Sequence, residues 1–119
     1  MPSSRTRILC FGDSNTWGYN PATKDRFDED TRWTGRLATA LGPAYTVIEE
    51  GLNGRTTVWD DPIEEYRCGK TYLIPCLRTH MPLDLVVLVL GTNDLKKRCS
   101  VSPFDIGRSI GLLLEIIAR

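Results

Sequence analysis

Histidine is almost missing from this chain: His80 is the single copy in 119 residues. Cysteine is scarce and scattered, at positions 10, 68, 76 and 99, with neither a CxxC nor a Cys/His metal spacing. That argues against a zinc site and against a disulfide framework. Cys10 lies inside an apolar run, where a free thiol behaves as a small hydrophobe. Long apolar stretches are missing too. After Arg5 and Arg7, the run Ile8-Leu9-Cys10-Phe11 gives way at once to Gly12-Asp13, too short for the core of a signal peptide. Leu85 to Leu90 falls far short of the roughly 20 residues that span a bilayer. The expectation is a cytoplasmic chain with no membrane partner. Charge of one sign is not in excess: fifteen basic residues meet fifteen acidic ones, so no overall field favours nucleic acid. Lys96-Lys97-Arg98 is expected to be a solvated turn. There is no internal repeat and no linker.

What is there reads as one modest domain over residues 1–119, with 41% hydrophobic and 25% charged residues and enough chain for a real core. Arg7 to Phe11 forms a first strand whose continuous apolar run implies burial on both faces. Residues 15 to 31 form a long loop, of the kind that is functional or mobile in a compact domain. A helix capped by Asp30 or Thr31 runs to about Leu41, with Trp33, Leu37 and Leu41 recurring on a core-facing side. Gly42-Pro43 ends it. Tyr45 to Glu49 is a second strand, residues 58 to 70 are irregular, and a helix follows near Thr71 to His80 with Pro75 limiting its first turn. Leu83 to Leu90 is the clearest strand, again apolar on both faces. Ser102-Pro103-Phe104-Asp105 opens a last helix with the apolar stripe Ile106, Ile110, Leu113, Leu114 and Ile117.

The order β-α-β-α-β-α implies a parallel sheet with helices on both faces, a flavodoxin-like α/β/α sandwich. Ligands of such sheets bind outside the carboxyl ends of the strands, where strand order reverses. Three turns follow those ends: Gly12-Asp13-Ser14, Gly51-Leu52-Asn53-Gly54, and Gly91-Thr92-Asn93-Asp94. A serine hydroxyl becomes a nucleophile once a base takes its proton, and ester attack needs donors aimed at the oxygen that becomes negative. Backbone N–H groups of Ser14 and Gly54 and the side-chain amide of Asn93 are candidates for that task. Asp13 is expected to brace the turn by accepting backbone hydrogen bonds, and Asp94 to be structural.

These blocks, in this order, resemble the SGNH, or GDSL-type, hydrolase superfamily, with Asn15 where leucine is commoner. The stretches Arg7-Ile8-Leu9-Cys10-Phe11-Gly12-Asp13-Ser14, Thr16-Trp17-Gly18, Arg32-Trp33-Thr34-Gly35, Val47-Ile48-Glu49-Glu50-Gly51-Leu52 and Pro82-Leu83-Asp84-Leu85-Val86 are similar to the arylesterase and acyltransferase branch, known for acyl transfer and perhydrolysis. The resemblance implies that Ser14 is the nucleophile, that Gly54 and Asn93 help form the oxyanion hole, and that Trp17 and Tyr19 line a substrate pocket beside Asp13. It implies a small carboxylic ester as substrate, an acyl-serine intermediate and no cofactor or metal. Trp59 and Tyr72 are candidates for the site or for an interface.

The family's fourth block, Asp-x-x-His, is absent from these residues. His80 does not replace it: it precedes the strand Leu83 to Leu90, and eight strand residues at roughly 3.3 Å each put about 26 Å between the sheet edges. Three of a usual five strands are present, so Leu83 to Leu90 is expected to be central in a complete sheet, and the chain reads as a C-terminally truncated hydrolase with little activity alone. The resemblance also implies self-association, or pairing with a missing C-terminal half. Two other readings stay open. One is a non-catalytic interaction fragment; the other is a flavodoxin-like phosphate or nucleotide binder, though neither G-x-G-x-x-G nor G-x-x-x-x-G-K-S/T occurs.

Overall fold

The structure, a computed structural model, describes residues 5–119. Three strands, β1 (Thr6–Gly12), β2 (Tyr45–Gly51) and β3 (Leu85–Val89), form one parallel sheet in the order β2-β1-β3. Register runs from Thr6 against Tyr45 to Gly12 against Gly51 on one side, and from Ile8 against Leu85 to Gly12 against Val89 on the other. β1 is the middle strand, and its Leu9, Cys10 and Phe11 are fully buried and Ile8 nearly so. Residues of both faces of β1 are thus covered, as the unbroken apolar run requires. Burial of Leu9 and Phe11 contributes about 1.5–3 kcal/mol each.

The helices are α1 (Ser14–Trp17), α2 (Trp33–Leu41), α3 (Gly69–His80) and α4 (Pro103–Ala118), with two 3-10 turns, Asn93–Leu95 and Lys97–Cys99, between β3 and α4. The chain forms two compact units: one from the chain up to Asn53 with Pro82–Val89, the other from Gly54–Met81 with Leu90–Arg119. The first holds the sheet, α1 and α2. The second holds α3 packed on α4, with Leu73, Cys76, Leu113 and Ile116 as its buried apolar side chains. No helix among the described residues is long and apolar enough to cross a membrane.

Several local expectations change. β3 lies at a sheet edge among the described residues, and Leu85 and Val89 are exposed; a strand paired on one side only has no neighbour to cover its ends. The residue before α2 is Arg32, which makes no side-chain cap. A tight turn, in which the N–H groups of Thr31 and Arg32 both donate to Asp28 O, occupies the residues expected to cap it. Trp33 is half-buried, and it is Thr34 that is fully buried. Pro75 sits inside α3 and not in its first turn, because the helix begins at Gly69. In α4 the buried residues are Ser109, Leu113 and Ile116, while Leu114 is exposed. The cap of α4 is as expected: Ser102 Oγ accepts from Asp105 N at 3.2 Å, with Pro103 in the first turn.

Candidate active site

In the order β2-β1-β3 the chain leaves β1 on one side and returns on the other, so the carboxyl end of β1 is where winding reverses. β1 stops at Gly12, Asp13 turns the chain, and Ser14 is the first residue of α1. Asp13 is 1% exposed. Its Oδ1 accepts from Asn15 N at 3.0 Å, and its carbonyl accepts from Thr16 N and Trp17 N, the bracing role expected of it. Ser14 is half-buried, and its hydroxyl makes no hydrogen bond among the described residues. Two glycines let α1 settle this close to the strand ends. A Cβ at Gly51 would lie 2.3 Å from Trp17 N, and one at Gly12 would lie 2.1 Å from Thr16 Oγ1.

The long loop after α1 is tied down by charge. Arg32 forks onto the Glu49 carboxylate at 2.6 and 2.9 Å and reaches Phe27 O at 3.1 Å. Thr34 Oγ1 donates a short hydrogen bond to the same carboxylate. Arg26 donates to Trp17 O at 2.6 Å and stacks its guanidinium 5.1 Å from the Trp17 ring centre. Its other end approaches Glu49 at 4.0 Å. The bidentate bond from Arg32 pulls the Glu49 carboxyl down to about 2. Burial, with Glu49 nearby, pushes the Cys10 thiol up to about 11, so that thiol is no nucleophile. Tyr19 is 36% exposed and bridges Arg26. A glutamate following the apolar pair Val47-Ile48 in β2 was the signal for this clamp, and its partners carried none.

Gly54, at the end of the second block, and the whole third block lie in the other unit. Gly54 has φ of 83°, and a Cβ there would meet Arg67 Nε at 2.9 Å, so the position needs glycine twice over. Asn93 opens its 3-10 turn and donates from Nδ2 to Arg55 O at 3.0 Å. Asp94, fully buried, accepts from Thr57 N at 3.0 Å and Thr57 Oγ1 at 2.5 Å. Arg55 also lies 5.2 Å from the ring centre of Tyr72, which is largely exposed, while Trp59 is half-buried. Asn93 is thus joined to the Gly54–Arg55 turn, as Asp13 and Trp17 are joined to Ser14, each group within its own unit.

The Lys96-Lys97-Arg98 turn is exposed at Lys97 and Arg98, as expected of a solvated turn, and is also held by ion pairs. Arg98 donates to both oxygens of Asp61 at 2.8 and 2.7 Å, and Lys96 lies 3.5 Å from Glu64. The Arg98 guanidinium holds the Asp61 carboxyl well below the usual carboxylate range. His80 ends α3, and the chain beyond it, Pro82–Asp84, is fastened to Arg7 at the start of β1, the opposite end of that strand from Ser14.

A parallel α/β sheet in flavodoxin-like order, with a serine turn at its reversal point, defines the class. Within it the chain belongs to the GDSL-like lipase/acylhydrolase family, whose model matches residues 10–119. Among solved structures it is similar to the inhibitor-bound aryl esterase of M. smegmatis, at 51% identity and a TM-score of 0.88, over 91% of this chain and 52% of that one. A carbohydrate acetylesterase from Sinorhizobium meliloti matches at 45% identity and a TM-score of 0.88, over 92% and 53%. An SGNH-hydrolase family esterase matches at 28% and 0.75, over 100% and 56%. The chain thus spans about half the length of these relatives. No curated protein matches it.

Proposed function

We propose that this chain supplies the nucleophile and the oxyanion donors of a serine ester hydrolase or acyltransferase acting on small carboxylic esters. One observation carries the reading: the three family blocks follow, in order, the carboxyl ends of three parallel strands. Ser14 Oγ attacks the ester carbonyl carbon, and the carbonyl electron pair moves onto oxygen. The N–H groups of Ser14 and Gly54 and the Asn93 amide receive that charge; collapse expels the alcohol and leaves an acyl-serine. Trp17 and Tyr19 border the acyl group, and the buried Asp13 braces the turn beneath them. The name of the related carbohydrate acetylesterase favours a short acyl group.

The proton of Ser14 needs an acceptor, and no Asp-x-x-His block occurs in these 119 residues. The isolated chain therefore turns over slowly, and an added imidazole buffer stands in for the missing base. The same reading takes the chain as cytoplasmic, and as associating with a second copy or with a segment that brings a histidine. The test is p-nitrophenyl acetate with and without imidazole, followed by mass spectrometry of the Ser14 peptide. An acetyl adduct on Ser14 that imidazole accelerates, and that is lost in Ser14→Ala, is expected. An adduct elsewhere, or equal rates in Ser14→Ala, refutes the assignment.

A further inference from the structure

We propose that Asp94 and Thr57 are positioning residues for the oxyanion donors, an inference that rests on the hydrolase reading above. Two consecutive residues of one 3-10 turn grip alternate residues of the Gly54–Thr57 loop. Asn93 Nδ2 holds Arg55 O at 3.0 Å, and Asp94 holds both the N–H and the hydroxyl of Thr57. The far side of the same loop is held by the chain leading into α3. Thr56 N donates to Arg67 O at 2.8 Å, Gly69 N to Thr56 O at 3.1 Å, and Lys70 N to Thr57 O at 2.9 Å. Gly69 permits this approach: a Cβ there would lie 2.5 Å from Thr56 O. The loop is thus anchored from Arg55 to Thr57 on both sides, while the N–H of Gly54 makes no hydrogen bond among the described residues.

The charge of Asp94 has a purpose in this arrangement. Its carboxylate is fully buried and pairs with no lysine or arginine among the described residues. A buried anion is costly unless hydrogen bonds compensate it. The short bond from Thr57 Oγ1 is of the charge-assisted kind, roughly twice as strong as a neutral one. A neutral amide at position 94 would occupy the same volume with weaker hold. The outcome of the stronger hold is geometric. One N–H of the Asn93 amide is used on Arg55 O, which fixes the amide plane and leaves the second N–H for an incoming oxygen. Asp94 sets the distance between that donor and the Gly54 N–H without touching substrate.

The experiment measures the rate constant of Ser14 acetylation by p-nitrophenyl acetate in imidazole buffer, across ester concentrations, for the whole chain and for Asp94→Asn and Thr57→Val. Thr57→Val removes one hydroxyl at nearly constant shape, so it covers the case in which Asp94→Asn fails to fold. The expected result is a fall of about 10- to 100-fold at saturating ester, the size of loss that small misplacement of catalytic groups produces, with the half-saturation concentration within about twofold of wild type. The two Asn93 amide proton signals should also move together towards their solvent-exposed positions. A purely structural Asp94 would lower the melting temperature and leave acetylation well below that temperature unchanged, which overturns the inference alone. Absence of any Ser14 adduct in the wild-type chain overturns the hydrolase reading, and this inference with it.

Discussion

Glu49→Gln tests whether the loop behind Ser14 is held by charge. The carboxyl titrates near 2 in the folded chain against an ordinary value of 4.5, with the Arg32 fork as the main cause. At about 1.4 kcal/mol for each pH unit, that difference stabilises the folded state by about 3 kcal/mol at neutral pH. Side-chain exposure of 26% for Glu49 and 13% for Arg32 admits some solvent screening, which brings the expected loss in the variant towards about 2 kcal/mol. The sign follows from a lowered folded value: stabilisation is complete above pH 4.5 and disappears as pH falls through 2. The gap between wild type and variant should therefore be full at pH 7 and about half as large near pH 3.2. Urea unfolding at both pH values measures the gap, and carbon NMR of labelled glutamate measures the titration directly. A gap that does not change with pH, or one below about 0.5 kcal/mol at pH 7, the range of an exposed pair, would refute the reasoning.

Gly54→Ala should destabilise by about 1–2 kcal/mol, because a Cβ is strained at a positive φ and would meet Arg67. Adding Arg67→Ala should recover the contact part and leave the conformational part; a wild-type urea midpoint in Gly54→Ala would contradict this. Cys10, with its thiol pushed up to about 11, is about one part in a thousand thiolate at pH 8. Ellman's reagent at that pH should reach the half-buried Cys68 and Cys99 first, and Cys10 only on unfolding or as pH approaches 11. Labelling of Cys10 as fast as Cys68 would mean that the strand opens.

The strands were legible because their signal is local. Ile8 to Phe11 is apolar at every position, and only a strand covered on both faces tolerates that without an alternating pattern. The Ser102-Pro103 start of α4 was equally plain, since a cap and a first-turn proline act within one helical turn. Periodicity failed where burial depends on distant partners. Leu114 belongs to the apolar set of α4 and is nonetheless exposed, whereas Ser109 is buried with its hydroxyl donating to Asp105 O at 2.7 Å. A residue's face on a helix follows from spacing; whether anything packs there does not. Trp33 and Thr34 repeat the lesson, because Thr34 is buried on account of Glu49, fifteen residues away.

The candidate site divides along the same line. Ser14, Gly54 and Asn93 were proposed from the sequence because turns at strand ends have short-range signatures of glycine and asparagine. The groups that hold the surrounding loops were not. Glu49 with Arg32, Asp61 with Arg98, and Asp94 with Thr57 are separated by 17, 37 and 37 residues, and a charge in a sequence does not announce its partner. Each pair fastens a loop to a strand or to another loop within its own unit, and each uses a carboxylate that accepts at least two hydrogen bonds. That is the physical requirement of a site made from loops. The reacting groups need positions fixed within a fraction of an ångström, glycine turns alone are too pliant to fix them, and buried or half-buried anions with two or more donors are stiff enough to do so.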